Sequence, residues 1–166
     1  IFEKYIRFMD FIIDIGNTRV KYASFQNGAL LTQGYCVDNE LGRVLSSIDA
    51  PLKRLMLSSV KPIPKELLLA LEKKGVHCTF LSSDMQMPFK NNYETPQSIG
   101  ADRLALAAGG QKRFPNQAVL VVDIGTCLTF DFIDAEAVYH GGAISPGLLM
   151  RLKALNAFTG KLPLVD

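Results

Sequence analysis

The sequence predicts a duplicated α/β fold, and three observations predict it. Phe11-Ile12-Ile13-Asp14-Ile15-Gly16-Asn17-Thr18 recurs as Leu120-Val121-Val122-Asp123-Ile124-Gly125-Thr126-Cys127. Each copy is an apolar run, then Asp-Ile-Gly, then a small polar residue and a second alternating strand. After the first copy, short apolar strands alternate with helical segments, which implies a mixed sheet covered by helices.

Residues 11–25 read as a strand, a Gly-Asn-Thr turn and a second strand, in which Val20, Tyr22 and Ser24 alternate with Lys21, Ala23 and Phe25. Asn27-Gly28 is a hairpin signal leading into a third strand near Leu30–Val37. Asn39 is placed to cap a helix running to about Ile48. Arg54–Val60 reads as a short apolar strand. Pro64 opens a helix through Leu67, Leu68, Leu71 and Lys74 that Gly75 closes. Val76–Leu81 reads as another strand, and Pro96 begins a long helix from Gln97 to about Lys112, rich in Ala and Leu. The pattern then restarts: strands at Gln117–Cys127, Leu128–Ile133 and Ala137–Ile144, and a helix from Leu148 to about Phe158 after Pro146-Gly147. The first copy is βββαβαβα and the second begins βββα. The boundary is set at the turn cluster Phe114-Pro115-Asn116, giving units 9–115 and 116–166. The second unit is expected to be incomplete, as in a C-terminally truncated chain.

Bulk properties exclude several classes. A chain of 166 residues, 48% hydrophobic and 20% charged, fits a globular protein with a real core. A net charge of +2, with basic residues scattered and the densest group only Lys112-Arg113, gives no footprint for nucleic acid. Cys36, Cys78 and Cys127 are odd in number and form no Cys-x-x-Cys, so neither a disulfide framework nor a zinc site is indicated. His77 and His140 lack ligand spacing. No apolar run approaches the ~20 residues of a membrane span, and residues 1–8 do not read as a signal peptide. A cytoplasmic protein with reduced thiols is the expectation.

Four segments carry chemistry. In Asp14-Ile15-Gly16-Asn17-Thr18-Arg19-Val20-Lys21, glycine lets the backbone turn close to an anion, successive N–H groups can form a concave anion site, and Asn17, Thr18 and Lys21 add donors and charge. Asp14 suits such a site with a cation between it and phosphate. No Walker A loop occurs. A single turn of this kind reads first as a hairpin with a satisfied Asp; two at matching positions reverse that and favour a site. The second turn, Asp123–Cys127, has no lysine; Thr126 is its phosphate or metal contact, and Cys127 reads as a small buried residue rather than a nucleophile. Gly100-Ala101-Asp102-Arg103 places an acid in the first turns of a helix, where the macrodipole favours it. Asp102 can accept the proton of a hydroxyl attacking a phosphoryl group, and Arg103 can bind an anionic substrate group. The bland alternative is a helix-start acid beside a surface arginine. Gly141–Gly147 is a strand-to-helix junction that can admit a nucleotide close to the backbone, or simply a tight turn.

The ordered set Asp14–Lys21, Gly100–Arg103, Asp123–Thr126, Gly141–Gly147 and Lys161-Leu162-Pro163-Leu164 resembles the type III pantothenate kinases, from Met9 to Asp166. That family lies in the superfamily of acetate and sugar kinases, heat-shock chaperones and actin. The resemblance implies a ribonuclease H-like (actin-like ATPase) fold and ATP-dependent phosphorylation of pantothenate, the first step of coenzyme A synthesis. It implies that Asp14, Ile15, Gly16, Asn17, Thr18, Arg19, Val20 and Lys21 contact ATP phosphates, with Thr126 as a second ATP contact. Asp102 matches the proton acceptor. Tyr93, Gly100, Ala101, Asp102 and Arg103 match the substrate segment. Asp14 would help hold Mg²⁺, and Asp123 matches the ligand of a monovalent cation, K⁺ or NH₄⁺. A homodimer is implied. The sequence departs from the family in the eight residues before Met9, in Cys127 where alanine is frequent, and in stopping at Asp166. The competing readings are a non-catalytic nucleotide-binding relative, another sugar or acid kinase, and an inactive fragment.

Overall fold

The computed structural model describes residues 9–37, 40–46 and 52–165. Residues 1–8, Asn39, Ile48 and Asp166 lie outside them, and with them the proposed helix cap and helix end. The chain forms two compact units, Ile1–Ser82 and Ser83–Asp166.

The first unit holds strands β1 (Met9–Ile15), β2 (Val20–Gln26), β3 (Ala29–Cys36), β4 (Leu52–Ser59) and β5 (Cys78–Phe80), with helices α1 (Leu41–Ser46) and α2 (Lys65–Lys73). Its sheet runs β3-β2-β1-β4-β5. β1, β2 and β3 are an antiparallel meander, whereas β4 and β5 join parallel to β1. This mixed sheet fits the ribonuclease H-like fold that the family resemblance implies. The alternation in β1 decides its facing: Phe11, Ile13 and Ile15 are buried, while Ile12 is exposed and Asp14 half-buried. The buried side chains meet Leu55 and Leu57 of β4, Leu41 and Leu45 of α1, and Leu67 and Leu71 of α2 in one core. The opposite face of β1 is left for the polar turn residues. Two turns follow the chemistry of their residues. Asn27 and Gly28 have φ of 52° and 80°, the left-handed pair a tight hairpin requires. Pro64 precedes α2, and Gly75, at φ 63°, ends it with its N–H on the Glu72 carbonyl.

The second unit holds β6 (Lys90–Asn91), a 3₁₀ turn at Pro96–Ser98, α3 (Ala101–Arg113), β7 (Val119–Ile124), β8 (Cys127–Ile133), β9 (Val138–Pro146) and α4 (Leu148–Ala157). The sheet order is β6-β9-β8-β7; β7, β8 and β9 repeat the antiparallel meander, and β6 adds parallel to β9. Helix α3 packs on β7 and β8. The approach is close at Gly110, where a Cβ would come within 2.9 Å of Val121 and 3.3 Å of Val119. Phe89, Ile99, Leu104, Ala107, Ile133 and Tyr139 form the core.

Three readings need revision. The helix expected to run unbroken from Pro96 is a short 3₁₀ turn followed by α3. Ile99 interrupts it because it is extended (φ −74°, ψ 129°) and its side chain is buried. The strand read as Val76–Leu81 shortens to Cys78–Phe80, and Cys127 opens β8 rather than ending β7. Helix α3, which closes the first copy of the sequence pattern, packs on β7 and β8, and the compact units divide by contacts at Ser82/Ser83, a division distinct from the repeat boundary read at Phe114–Asn116.

Candidate functional site

In the first unit, the turn between β1 and β2 presents the expected phosphate residues. Asp14 stands opposite Lys21 in the antiparallel register. On its other side β4 brings Ser58, whose Oγ donates to Asp14 Oδ1 at 3.0 Å. The Gly16 N–H donates to the Arg19 carbonyl at 3.1 Å and closes the turn. Asn17, Thr18 and Arg19 are exposed at its tip. Ile15 and Val20 are different: each is 1% exposed and belongs to the core. These two can offer a ligand only main-chain groups. The open face of the sheet holds a cavity of about 550 Å³ lined by Asp14, Arg19, Lys21 and Tyr35 among others. The Arg19 guanidinium lies 4.6 Å from the Tyr35 ring centroid, a cation–π contact that restrains a long cationic side chain at the rim. Two cations, a tight turn and one carboxylate are a donor set for a phosphate chain that carries a hard cation.

In the second unit, α3 starts where the substrate segment was read. Gly100 is its N-cap residue, and Asp102 lies in the first turn. A Cβ on Gly100 would collide with Asp102 Oδ1, so glycine makes room for that carboxylate. Asp102 Oδ1 accepts the Arg103 N–H at 2.9 Å, and the helix N-terminus favours its negative charge.

Arg103 is not the surface arginine of the bland reading. It is 6% exposed, and its guanidinium reaches Asp131 of β8, itself 0% exposed. Nε donates to Oδ1 at 3.0 Å and to Oδ2 at 3.2 Å, and Nη2 donates to Oδ1 at 2.6 Å. Tyr139 of β9, also 0% exposed, donates its hydroxyl to the same Oδ1 at 2.6 Å. Burial works to lower the Arg103 pKa, but the Asp131 hydrogen bonds and charge more than offset it, and the net shift is upward. Burial, then the hydrogen bond to Asp131, pushes the Tyr139 phenol well above its ordinary value. Tyr93 completes the group: its ring centroid is 6.5 Å from that of Tyr139, and its N–H donates to Asn91 Oδ1 at 3.0 Å. The ring sits over Gly141 (φ 86°), where a Cβ would overlap it. Gly100, Asp102, Arg103 and Tyr93 are thus supported from α3, β8, β9 and the strand at β6.

Asp131 and Tyr139 were missed in the sequence. The available signal was an acid at an inward position of β8, between Thr129 and Ile133, both buried. It was obscured because Leu128, Phe130 and Phe132 of that strand point the other way, with Phe132 40% exposed.

The second Asp-Ile-Gly turn joins β7 to β8. The Gly125 N–H donates to the Cys127 carbonyl at 2.9 Å, and the Asp123 carboxylate lies alongside Gly125. Thr126 is exposed at the tip, and its carbonyl accepts the Gly147 N–H at 3.1 Å. Gly147 is the N-cap residue of α4, and a Cβ there would collide with the Gly125 and Thr126 carbonyls. Gly147→Ala is therefore expected to push the turn and α4 apart and to cost about 1–3 kcal/mol, the usual range for overpacking. Gly160, which has nothing within 4 Å of an added Cβ, is the control. Urea unfolding of the two alanine variants should separate them; equal stabilities would contradict the contact. Among the described residues, no three His, Cys, Asp or Glu side chains gather as a ready-made metal site, nor is any helix long and apolar enough to cross a membrane.

Comparison with known proteins gives the family and the fold. The family model described as type III pantothenate kinase matches residues 11–166. The chain is 40% identical over 162 residues to the type III pantothenate kinase of Bacteroides fragilis (strain YCH46), covering 95% of this chain and 65% of that protein. For the protein of the same name from Phocaeicola vulgatus, the identity is 43% over 159 residues, with 95% and 66% covered. For that from Flavobacterium johnsoniae it is 41% over 157 residues, with 92% and 64% covered. The chain thus spans just under two thirds of these relatives' length. Among solved structures it is similar in fold to ethanolamine utilization protein EutJ from Carboxydothermus hydrogenoformans, with a TM-score of 0.51 at 10% identity over 94% of this chain and 58% of that one. The architecture is the actin-like ATPase fold, and the chain belongs to the type III pantothenate kinase family.

Proposed function

We propose that this chain carries the nucleotide and acceptor groups of an enzyme that phosphorylates pantothenate with ATP, giving 4'-phosphopantothenate at the first step of coenzyme A biosynthesis. The observation that carries the reading is the family match along 11–166, with Asp102 set at the start of α3. The main chain of 15–20, together with Asn17, Thr18, Arg19 and Lys21, binds the phosphates, and Thr126 makes a second contact. Asp102 accepts the proton of the primary hydroxyl as its oxygen bonds to the γ-phosphorus and the bond to the ADP oxygen breaks. The transition state of such transfers is loose, so orientation by a fixed carboxylate matters more than basicity. Tyr93, Gly100, Ala101 and Arg103 hold the rest of the acceptor, Arg103 at its carboxylate.

The donor set fits the cations. Mg²⁺ is usually bound by one or two carboxylates plus phosphate oxygens and water, so Asp14, steadied by Ser58, suffices on the protein side. Bound there, Mg²⁺ supplies charge neutralisation of the phosphate oxygens. Asp123, beside a turn rich in carbonyls, offers the oxygen donors that a monovalent cation, K⁺ or NH₄⁺, takes. In this reading the repeat units are 9–115 and 116–166, and the working protein is a cytoplasmic homodimer.

ADP release, followed across pantothenate and a panel of sugars and short acids, tests the reading. Release with pantothenate alone is expected. ATP binding without acceptor-dependent ADP marks a non-catalytic relative, and release with another acceptor marks a different kinase; either result overturns the proposal.

A further inference from the structure

We infer that Asp131 and Tyr139 are positioning residues that aim the Arg103 guanidinium at the acceptor's carboxylate, and so set the preference for an acid over its neutral analogue. The inference rests on the kinase reading above and adds two residues to it.

The arrangement is hard to explain by stability alone. A buried ion pair is at best weakly stabilising compared with apolar packing of the same volume. Yet an arginine, a carboxylate and a phenol, all at most 6% exposed, are assembled beneath the first turn of α3. The way the donors are shared suggests their purpose. A guanidinium has five N–H donors in a rigid fork. Asp131 takes Nε and Nη2, and Tyr139 fixes the rotation of Asp131 through Oδ1. Among the described residues, Nη1 has no hydrogen bond, while no fully buried side-chain N or O atom lacks a partner. Nη1 therefore keeps some exposure, on a residue that follows Asp102 in the first turn of α3. Asp131 offsets much of the charge of Arg103 and holds the plane of the guanidinium, so what is left for a ligand is the directed N–H donors of Nη1. A hydrogen bond from the remaining Nη1 donors is stronger to an ionised carboxylate than to a neutral hydroxyl, which is the discrimination required. Holding a ligand-contacting group by its far side is also how supporting residues tune a site.

The test compares pantothenate with pantothenyl alcohol, in which a CH₂OH group replaces the carboxylate, at saturating ATP. Tyr139→Phe removes one hydroxyl from a buried, otherwise unchanged ring. It is expected to raise KM for pantothenate about tenfold, the fold-change that goes with losing one hydrogen bond to a charged group. The KM values for the alcohol and for ATP should change far less, so the preference for the acid shrinks. Arg103→Lys, which keeps the charge and loses the fork, should shrink it too, and it decides the matter should Tyr139→Phe not fold. An unchanged preference, or an equal loss on both acceptors as from a merely structural role, overturns the inference while leaving the kinase reading intact. Absence of turnover of either acceptor by the unsubstituted chain overturns both.

Discussion

Asp102→Asn is expected to lower kcat about a hundredfold or more while leaving the affinity for ATP nearly unchanged. Asparagine keeps the shape of the side chain and an oxygen able to accept the Arg103 N–H, now at 2.9 Å. It removes the capacity to take up a proton. General-base groups contribute about 10²–10⁴ in rate, and the loose transition state of phosphoryl transfer points to the lower end of that range. The same substitution removes a negative charge from the first turn of α3, which costs about 0.3–1 kcal/mol of stability. A variant that folds, binds ATP and turns over at the original rate would remove Asp102 from its assigned role. Steady-state rates and ATP titration on the two proteins give the comparison.

The largest stability effect is expected at Asp131→Ala. The substitution leaves the Arg103 guanidinium and the Tyr139 hydroxyl without their acceptor in a buried setting. Breaking a buried pair by removing one partner costs about 3–5 kcal/mol, far more than the intact pair contributes. Hydrogen exchange at the amides of α3, β8 and β9 should report the loss of protection directly. Exchange unchanged within the error of a surface substitution would contradict the buried pairing. The pH dependence has a defined sign. The Tyr139 pKa is raised in the folded state, so the fold retains a proton that the unfolded chain releases near pH 10. Its contribution is fully present below about pH 10, the unfolded value, and is lost as pH rises toward the folded one. The stability difference between the unsubstituted chain and Tyr139→Phe should therefore be flat around neutrality and should shrink in strong alkali.

Much of the scaffold could be read from local chemistry. The alternation in β1 and β2, the Asn27-Gly28 turn and the Pro64 and Gly75 helix boundaries each follow from one residue type meeting one backbone demand. β6 could not be read: two residues, Lys90 and Asn91, show no period, and only pairing with β9 makes them a strand. The start of α3 moved because Ile99 is drawn into the core, a tertiary demand that outweighs the proline signal three residues earlier. The turns were legible as Asp-Ile-Gly repeats. The residues supporting Arg103 were not, because β7 and β8 expose the apolar positions that a rule of burial would place inside. Leu120 and Ile124 are 60% and 82% exposed, whereas Asp131 is buried. In that sheet a polar residue at an inward position was the informative one.

Mass spectrometry of the reaction mixture tests the proposed transfer of the γ-phosphoryl group of ATP to the hydroxyl of pantothenate. A product one phosphoryl group heavier than pantothenate, formed in step with ADP and dependent on Asp102, is expected. ADP without the phosphorylated acid, or neither product, would contradict it.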